Sequence, residues 1–203
     1  MLILGIDPGT ATTGFGLVEK KPDQDFEILE WGLIETNKET KPHIRLHEIH
    51  EQMLLILDKF KPDVLVMEKV FMFNNAKTVI RVSQAQGVIL LASANSGFDI
   101  EVFEYAPQTI KKLITGSGRA NKKEVEKHIY EILGKKLEGL SMTDGHGKPR
   151  KMTKTYVDNA VDALAIAMCH LMKLHEDLLL PIDKSKIKIK DVLPKKAKKK
   201  KTS

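Results

Sequence analysis

The sequence is short of cysteine and of long apolar runs, and both absences exclude classes of protein. Cys169 is the only cysteine among 203 residues, so it cannot form a disulfide within the chain, and no cysteine–histidine cluster has the spacing of a zinc site. The longest apolar stretch, residues 87–94, is far too short to span a bilayer. Because the first apolar strand starts at once, without a basic segment or a cleavage site, we expect a cytoplasmic protein.

Positive charge is concentrated at one end of the chain. The formal net charge is +6, yet residues 184–203 contain ten lysines and one acidic residue, a net charge of +9. The rest of the chain holds 23 basic and 26 acidic residues, a net charge of −3. Since a segment this polar and self-repelling does not pack, we expect residues 181–203 to form a disordered, lysine-rich tail. Such a tail either only aids solubility or tethers the protein to nucleic-acid phosphates, and we favour the tether.

The order of apolar patterns predicts a three-layer α/β fold in which helices flank a mixed, five-stranded sheet. The first three strands follow one another as an antiparallel meander, and the last two alternate with helices. Residues 134–154 are rich in glycine, lysine and threonine without apolar periodicity, so we interpret them as a loop inserted into one domain over residues 1–180. The predicted strands are residues 2–6, 14–18, 26–33, 64–67 and 100–103, and the predicted helices begin near residues 43, 75, 107, 122 and 156.

Acidic residues stand at positions where burial should exclude them. Asp7 ends the first strand, Glu68 ends the fourth, and Asp162 precedes the apolar run of the last helix. Asp158 lies four residues before Asp162 and therefore on the same helix face. A buried carboxylate is costly unless it is paired or holds a cation. Because ligands from strand ends and one helix can converge at the edge of a sheet, we expect these acids to share a site.

These acids are candidate ligands for metal ions. Carboxylate oxygens without histidine or cysteine favour Mg²⁺ or Mn²⁺ over zinc, and two such ions roughly 4 Å apart are an apparatus for phosphodiester hydrolysis. The alternative for Asp7 is a turn residue, and that for Asp158 is a helix cap. The alternative for Glu68 is an ion pair with Lys69 or Arg81. The coincidence of three acids at strand and helix ends favours metal binding.

A series of short motifs in a fixed order resembles a known family. The first is Leu-Gly-Ile-Asp-Pro-Gly-Thr around Asp7, and the last is Asp-Ala-Leu-Ala-Ile-Ala from Asp162 onwards. Taken alone, the turn after Asp7 is also typical of sugar kinases and actin-like ATPases. The whole series resembles RuvC, the bacterial Holliday junction resolvase family within the RNase H-like nucleases. The matching residues are 4–10, 14–16, 67–72, 84–88, 103–107, 115–118 and 162–167.

The resemblance implies roles for individual acids. Asp7, Glu68 and Asp162 match the catalytic residues of the family. The fourth acid of the family stands three residues before Asp162, where this chain has Asn159, with Asp158 one place earlier. Either Asp158 replaces the fourth acid or the amide oxygen of Asn159 binds the metal. We favour Asp158, because both positions face the same side of a helix.

The resemblance also implies residues that contact DNA. Lys111 and Lys122 match the phosphate-contacting lysines of the family, and Phe71 matches an aromatic residue beside the junction. Stacking of an aromatic ring on an unpaired base contributes roughly 1–3 kcal/mol, and the alternative for Phe71 is an ordinary core residue. Lysines on solvated helix faces are the alternative for Lys112 and Lys123. The basic residues that thicken the patch around the turn at 116–118 are Lys112, Arg119 and Lys123.

The function implied by the resemblance is a homodimeric endonuclease that resolves four-way DNA junctions by paired symmetric nicks in recombination and repair. The implied cofactor is Mg²⁺, two ions per active site, with Mn²⁺ as a substitute. The family dimerises through the helix over residues 75–95, for which the alternative is packing on its own sheet alone, and works with a branch-migration helicase. Two other functions stay open, an RNase H-like nuclease of the YqgF group that acts on RNA and an inactive junction-binding protein. A kinase or chaperone is disfavoured, since the chain lacks a second phosphate loop.

Overall fold

An antiparallel meander opens the chain and supplies half of the central sheet. Its strands are β1 (Leu2–Asp7), β2 (Thr12–Lys20) and β3 (Phe26–Glu35), as the sequence predicted. The structure, a computed structural model, describes residues 1–22, 25–71, 76–150 and 153–177. The remaining elements are α1 (Pro42–Phe60), β4 (Val64–Glu68), α2 (Ala76–Asn95), β5 (Glu101–Tyr105), α3 (Pro107–Thr115), α4 (Lys122–Leu133), a 3-10 helix (Gly134–Leu137), β6 (Thr143–Asp144) and α5 (Lys154–Asp177).

The strands form one mixed sheet in the order β5-β4-β1-β2-β3-β6. β1 is antiparallel to β2 and parallel to β4, which in turn is parallel to β5. Successive residues of β1 point to opposite faces, so Ile3 packs in one core while Leu4 and Ile6 pack in the other. Because both faces of β1 are covered, the strand is almost entirely apolar until it reaches Asp7.

The α/β fold with a mixed sheet is confirmed, but the sheet has six strands rather than the predicted five. β6 lies within residues 134–154 and pairs with β3 at Gly32 and Leu33. Just before it, Met142 is fully buried in one of the two cores. A strand of two residues is too short to show an alternating apolar pattern, so periodicity in the sequence did not reveal it.

Helices cover both faces of the sheet and enclose two cores. α1 and α2 pack on one face through buried residues such as Met53 and Ile89. α3, α4 and α5 pack on the other face, and α5 lies directly across β1, β2 and β3. The five predicted helices all appear close to their expected bounds, because their apolar periodicity reflects the faces that they bury.

Two glycines let α5 approach the sheet more closely than residues with side chains would. A Cβ atom at Gly5 would overlap the Ala163 carbonyl oxygen, and one at Gly14 would overlap the Asn159 carbonyl oxygen. Gly14 is also the residue that pairs with Asp7 between β1 and β2. This close contact therefore fixes the first half of α5 next to the carboxyl end of β1.

The domain organisation predicted from the sequence remains a prediction. The lysine-rich tail over residues 181–203 and the domain boundary at residue 180 lie outside the described residues. The interpretation of residues 134–154 as an insertion also rests on the sequence, although the described part of this segment contains the 3-10 helix and β6. Within the described ranges, no helix is both long enough and apolar enough to cross a membrane.

Candidate active site

Three secondary-structure elements bring acidic residues to one edge of the sheet. Asp7 ends β1 and Glu68 ends β4. These strands are parallel neighbours with Ile6 paired to Met67, so the two acids follow at the same edge. α5 packs across β1 and carries Asp162 close enough to act electrostatically on both of them. The structure thus brings together three acids that are far apart in the sequence.

The three acids oppose one another's charged forms. Burial raises the pKa of Asp7 from its ordinary value of 3.8 to about 7, with further contributions from Asp162 and Glu68. Burial, and then the charge of Asp162, also raises the pKa of Glu68, which Lys111 partly offsets. Crowded carboxylates of this kind reduce the stability of the folded protein, so the cluster indicates a site that receives positive charge.

One positive charge is already present in the cluster. The ammonium of Lys122 lies 3.3 Å from Oδ2 of Asp162 and donates a hydrogen bond to it. Lys122 is the first residue of α4, and Asn121 and Glu124 fix the start of this helix by capping it reciprocally. The pKa of Asp162 is raised nevertheless, because burial outweighs the effect of Lys122. The ion pair therefore neutralises only part of the negative charge.

The donor set of the cluster fits a hard divalent cation. Among the described residues, no three carboxylate, histidine or cysteine side chains are arranged so that they could hold one metal ion together. Asp7, Glu68 and Asp162 nevertheless interact through their charges, and the pKa of each is raised, so a cation would relieve their repulsion. Carboxylate oxygens are the ligands that Mg²⁺ and Mn²⁺ prefer. The residues therefore fit a metal ion, provided that the acidic side chains adjust when it binds.

Asp158 is an outer member of the acidic cluster. Its charge raises the pKa of Asp162 on the same helix and that of Lys122 on α4. Asn159, at the position of the family's fourth acid, lies against the sheet through its backbone carbonyl oxygen beside Gly14. The choice of Asp158 over Asn159 for the fourth position stays a prediction.

Two residues close to the acids were not identified from the sequence. Glu126 and Tyr130 lie one and two helical turns after Lys122 on the same face of α4. Glu126 contributes to the raised pKa of Asp162, while burial and then Asp158 raise the pKa of the Tyr130 hydroxyl. The regular spacing along α4 was the available signal, but it acquires meaning only because α4 packs on α5.

The predicted DNA-contacting residues lie after β4, on α3 and α4 and in the turn between these helices, and two of them act on the acids. Lys111 in α3 and Lys122 in α4 act directly on acids of the cluster. Phe71 follows β4 and is 37% exposed, while residues 72–75 lie outside the described residues. The other predicted basic residues are exposed on α3, in the turn after it and on α4, and they are Lys112, Arg119 and Lys123.

Comparison with known proteins identifies the family. Residues 3–145 match the family model described as crossover junction endodeoxyribonuclease RuvC. The chain belongs to the RuvC family. A RuvC relative from Caldicellulosiruptor saccharolyticus, named crossover junction endodeoxyribonuclease, is 37% identical over 172 residues, which cover 85% of this chain and 93% of the relative.

Solved RuvC structures agree with this assignment. The structure of Thermus thermophilus RuvC superimposes with a TM-score of 0.67 at 27% identity and covers 87% of this chain and 97% of that chain. T. thermophilus RuvC in complex with a Holliday junction substrate gives a TM-score of 0.66 at 26% identity over 87% and 96% of the two chains. The predicted family and the RNase H-like α/β fold are therefore confirmed. Nucleases of the RuvC family are metal-dependent, which agrees with the donor set of the acids.

Proposed function

We propose that this protein is an endonuclease that resolves four-way (Holliday) DNA junctions by paired symmetric nicks, in recombination and repair. The strongest support is the cluster of Asp7, Glu68 and Asp162 at one edge of the sheet of a RuvC-family chain. A T. thermophilus member of the family has been described in complex with a Holliday junction substrate. A location in the cytoplasm, where bacterial DNA is processed, belongs to the same proposal.

Two Mg²⁺ ions are the proposed cofactors, and Mn²⁺ is expected to substitute for them. Asp7, Glu68, Asp162 and Asp158 would supply the carboxylate oxygens, Asp158 from the outer side of the cluster. When bound, such ions activate a water molecule and offset the negative charge that develops at the phosphate. Because the pKa of Asp7 is about 7, protons compete for this carboxylate below neutral pH, and cation binding is favoured above it.

Lys111 and Lys122 are the proposed contacts for the scissile phosphate. The ammonium of Lys122 lies beside Asp162, and Lys111 is close enough to Glu68 to lower its pKa. A phosphate held by these lysines lies against the acids. Since the chain before residue 184 has a net charge of −3, this part of the protein must hold DNA through a local positive patch rather than through its overall charge. The patch is extended by Lys112, Arg119 and Lys123.

Phe71 is proposed to stack on an unpaired base of the junction. It stands three residues after Glu68 and is 37% exposed, which supports a position at the surface beside the acids. An aromatic ring that stacks on a base contributes roughly 1–3 kcal/mol without reading its sequence. Phe71 would therefore favour branched DNA, in which bases are unpaired, over a linear duplex.

We propose that two copies of the chain associate through α2. Ile80 and Leu91 on this helix are 58% and 54% exposed, a high degree for large apolar side chains. They lie about three helical turns apart and so on nearly the same face. A two-fold pair would match the symmetry of a four-way junction and set two active sites for paired nicks. Leu91→Glu should therefore yield monomers in analytical ultracentrifugation, and an unchanged dimer would mean that the interface lies elsewhere.

Two further interactions belong to this proposal. Membership of the RuvC family supports a complex with a branch-migration helicase. The ten lysines among residues 184–203 support a tether between the tail and DNA phosphates. Removal of residues 181–203 should weaken binding to junction and duplex alike and reduce its salt dependence, whereas unchanged binding would exclude the tether.

The proposed function is tested with three substrates. The protein is incubated with a synthetic four-way junction, a linear duplex and an RNA–DNA hybrid, each in Mg²⁺ or EDTA. We expect symmetric nicking of the junction alone, and only in Mg²⁺. Junction binding without cleavage in any divalent metal would favour an inactive junction-binding protein. Preferential cleavage of RNA would favour a nuclease of the YqgF type, and either result would contradict the proposal.

A further inference from the structure

Two rows of side chains lie where α4 packs on α5. Lys122, Glu126 and Tyr130 form the row on α4, with one helical turn between neighbours. Asp158 and Asp162 form the row on α5, also one turn apart. The rows interact, since Glu126 acts electrostatically on Asp162, and Asp158 acts on Lys122. One side of the active site is therefore formed by α4 and α5 together, and both helices contribute acidic residues to it.

Lys122 has acidic neighbours on two sides. Its ammonium is 3.3 Å from Oδ2 of Asp162, one of the acids proposed to hold a metal ion. The charges of Glu126 and Asp158 also stabilise the ammonium, after the larger effect of Asp162. The Lys122 side chain is 65% exposed, so solvent leaves it room to move between these partners.

The ion pair between Lys122 and Asp162 opposes metal binding. An ammonium beside Asp162 occupies an oxygen atom that a divalent cation would use, and it repels the cation as well. Movement of the ammonium away from Oδ2 would therefore favour a metal ion at Asp162. The free-energy cost of this movement is lower if a carboxylate that does not bind the metal offers the Lys122 ammonium another partner.

We propose that Glu126 is a positioning residue for Lys122, whose ammonium it attracts away from Asp162 when a divalent cation binds. This inference rests on the proposed function, because it requires that Asp162 bind metal. Glu126 is better placed for the task than Asp158, since it is on the same helix as Lys122 and four residues later, a spacing at which side chains meet along one face. After it moves, the ammonium remains at the rim of the site, where it is available to a phosphate of DNA.

The proposal is tested by Mn²⁺ binding without DNA, which is measured by isothermal titration calorimetry at pH 8. Glu126→Gln should weaken Mn²⁺ binding by about threefold, in the range expected for an exposed ion pair. Lys122→Met should strengthen Mn²⁺ binding, because the competing ammonium is gone. In the Lys122→Met background, Glu126→Gln should then have a clearly smaller effect, because only the direct action of its charge on the site near Asp162 remains.

Several results would overturn the proposal. Equal weakening by Glu126→Gln with and without Lys122 would mean that Glu126 binds the metal or acts on it through space. No weakening in the presence of Lys122, or weaker binding in Lys122→Met, would also contradict it. If the unaltered protein binds no Mn²⁺ at all, the proposed function itself fails, and this inference fails with it. The two failures are therefore distinguishable.

A matched control comes from the same helix. Glu131 of α4 pairs with Lys127 at 3.8 Å, and Glu131→Gln removes the same charge from a comparable ion pair. This variant should bind Mn²⁺ like the unaltered protein. Glu126→Asp, which keeps the charge, should recover at least part of the affinity. Circular dichroism of each variant checks that α4 is still folded, and a Glu131→Gln effect as large as that of Glu126→Gln would contradict the proposal.

Discussion

Acidic residues lie at both edges of the sheet where the parallel strands β1 and β4 begin and end. Those at the two edges differ in their exposure to solvent and in the charges around them. At the amino end, Asp63 precedes β4, and its side chain is 62% exposed. Its Oδ2 accepts a hydrogen bond of 2.7 Å from the backbone N–H of Leu2, and the amino group of Met1 lies 4.0 Å away. At the carboxyl end, Asp7 and Glu68 are surrounded by other acids and have raised pKa values.

Asp63 stabilises the fold, whereas the acids at the carboxyl end, such as Asp7, destabilise it and are better explained by function. Asp63 satisfies a backbone donor at the start of β1 and costs little, because water still reaches it. Asp7 is costly in the folded protein, since burial and neighbouring charges oppose its ionisation. A residue that lowers stability at the edge of a sheet is best explained by a ligand that compensates for its charge.

The largest expected effect comes from neutralising Asp7 at the carboxyl end, and the same change in Asp63 at the amino end is its control. Asp7→Asn should reduce nicking of a four-way junction by at least about 100-fold, the upper range for residues that merely support metal ligands. Asp63→Asn should leave nicking nearly unchanged, because Asp63 lies at the opposite end of β4. Initial rates in Mg²⁺ measure both. Equal losses in the two variants would remove the functional distinction between the ends.

The second prediction concerns stability and pH in the absence of metal. Asp7 has a pKa of 3.8 when unfolded and about 7 when folded. The destabilisation of the folded protein by ionised Asp7 is therefore absent below pH 4 and complete above pH 7. The free energy of unfolding should therefore fall by up to about 4 kcal/mol over this range, and Asp7→Asn should remove much of the fall. Chemical denaturation in EDTA at pH 5 and pH 8 measures the part of this fall that lies above pH 5, about 2–3 kcal/mol.

Asp63→Asn provides the control for this second prediction. It should lower stability slightly through its weakened hydrogen bond to Leu2, by about 1 kcal/mol, without the gain at pH 8 expected for Asp7→Asn. Mg²⁺ at pH 8 should stabilise the unaltered protein and Asp63→Asn, but not Asp7→Asn. If Asp7→Asn is no more stable than the unaltered protein in EDTA at pH 8, the cost assigned to Asp7 is wrong.

The third prediction tests how the carboxyl end is assembled. Gly14→Ala should lower the free energy of unfolding by about 1–3 kcal/mol, because the added methyl group overlaps the Asn159 carbonyl oxygen and pushes α5 away. Nicking should fall as well, since α5 carries Asp162. Gly118→Ala, where the nearest atom would be 3.2 Å away, should cost less stability. Thermal unfolding in EDTA compares them, and an equal loss in both would argue against close packing at Gly14.

The smallest expected effect concerns DNA binding. Lys112→Ala should weaken junction binding by only about threefold and reduce the slope of log affinity against log salt by about one, because it removes one phosphate contact. Lys20, whose backbone N–H bonds to the Met1 carbonyl at the opposite end of the sheet, is the matched control. Lys20→Ala should leave affinity and slope unchanged. Gel-shift titrations in Ca²⁺ at several salt concentrations measure both, and equal effects would mean that the positive patch is not localised.

The sequence by itself determined the order of the main strands and helices and the three acids, two at strand ends and one within the last helix. These features depend on local apolar periodicity, which reflects the faces that each element buries. Asp7, Glu68 and Asp162 were identifiable because a carboxylate next to a buried strand or an apolar helix run contradicts its surroundings. The motifs around them also identified the family, which the comparisons confirm.

Only the tertiary structure decided which side chains meet across the fold. The pair Lys122–Asp162 spans 40 residues, and no periodicity along the chain relates its members. Glu126 and Tyr130 read as ordinary positions on an amphipathic helix until α4 packs on α5 and brings them to the outer acids. β6 was missed for the same reason, since its two residues form a strand only by pairing with β3. Local patterns specify elements, whereas the charge around Asp7 results from contacts between residues distant in the sequence.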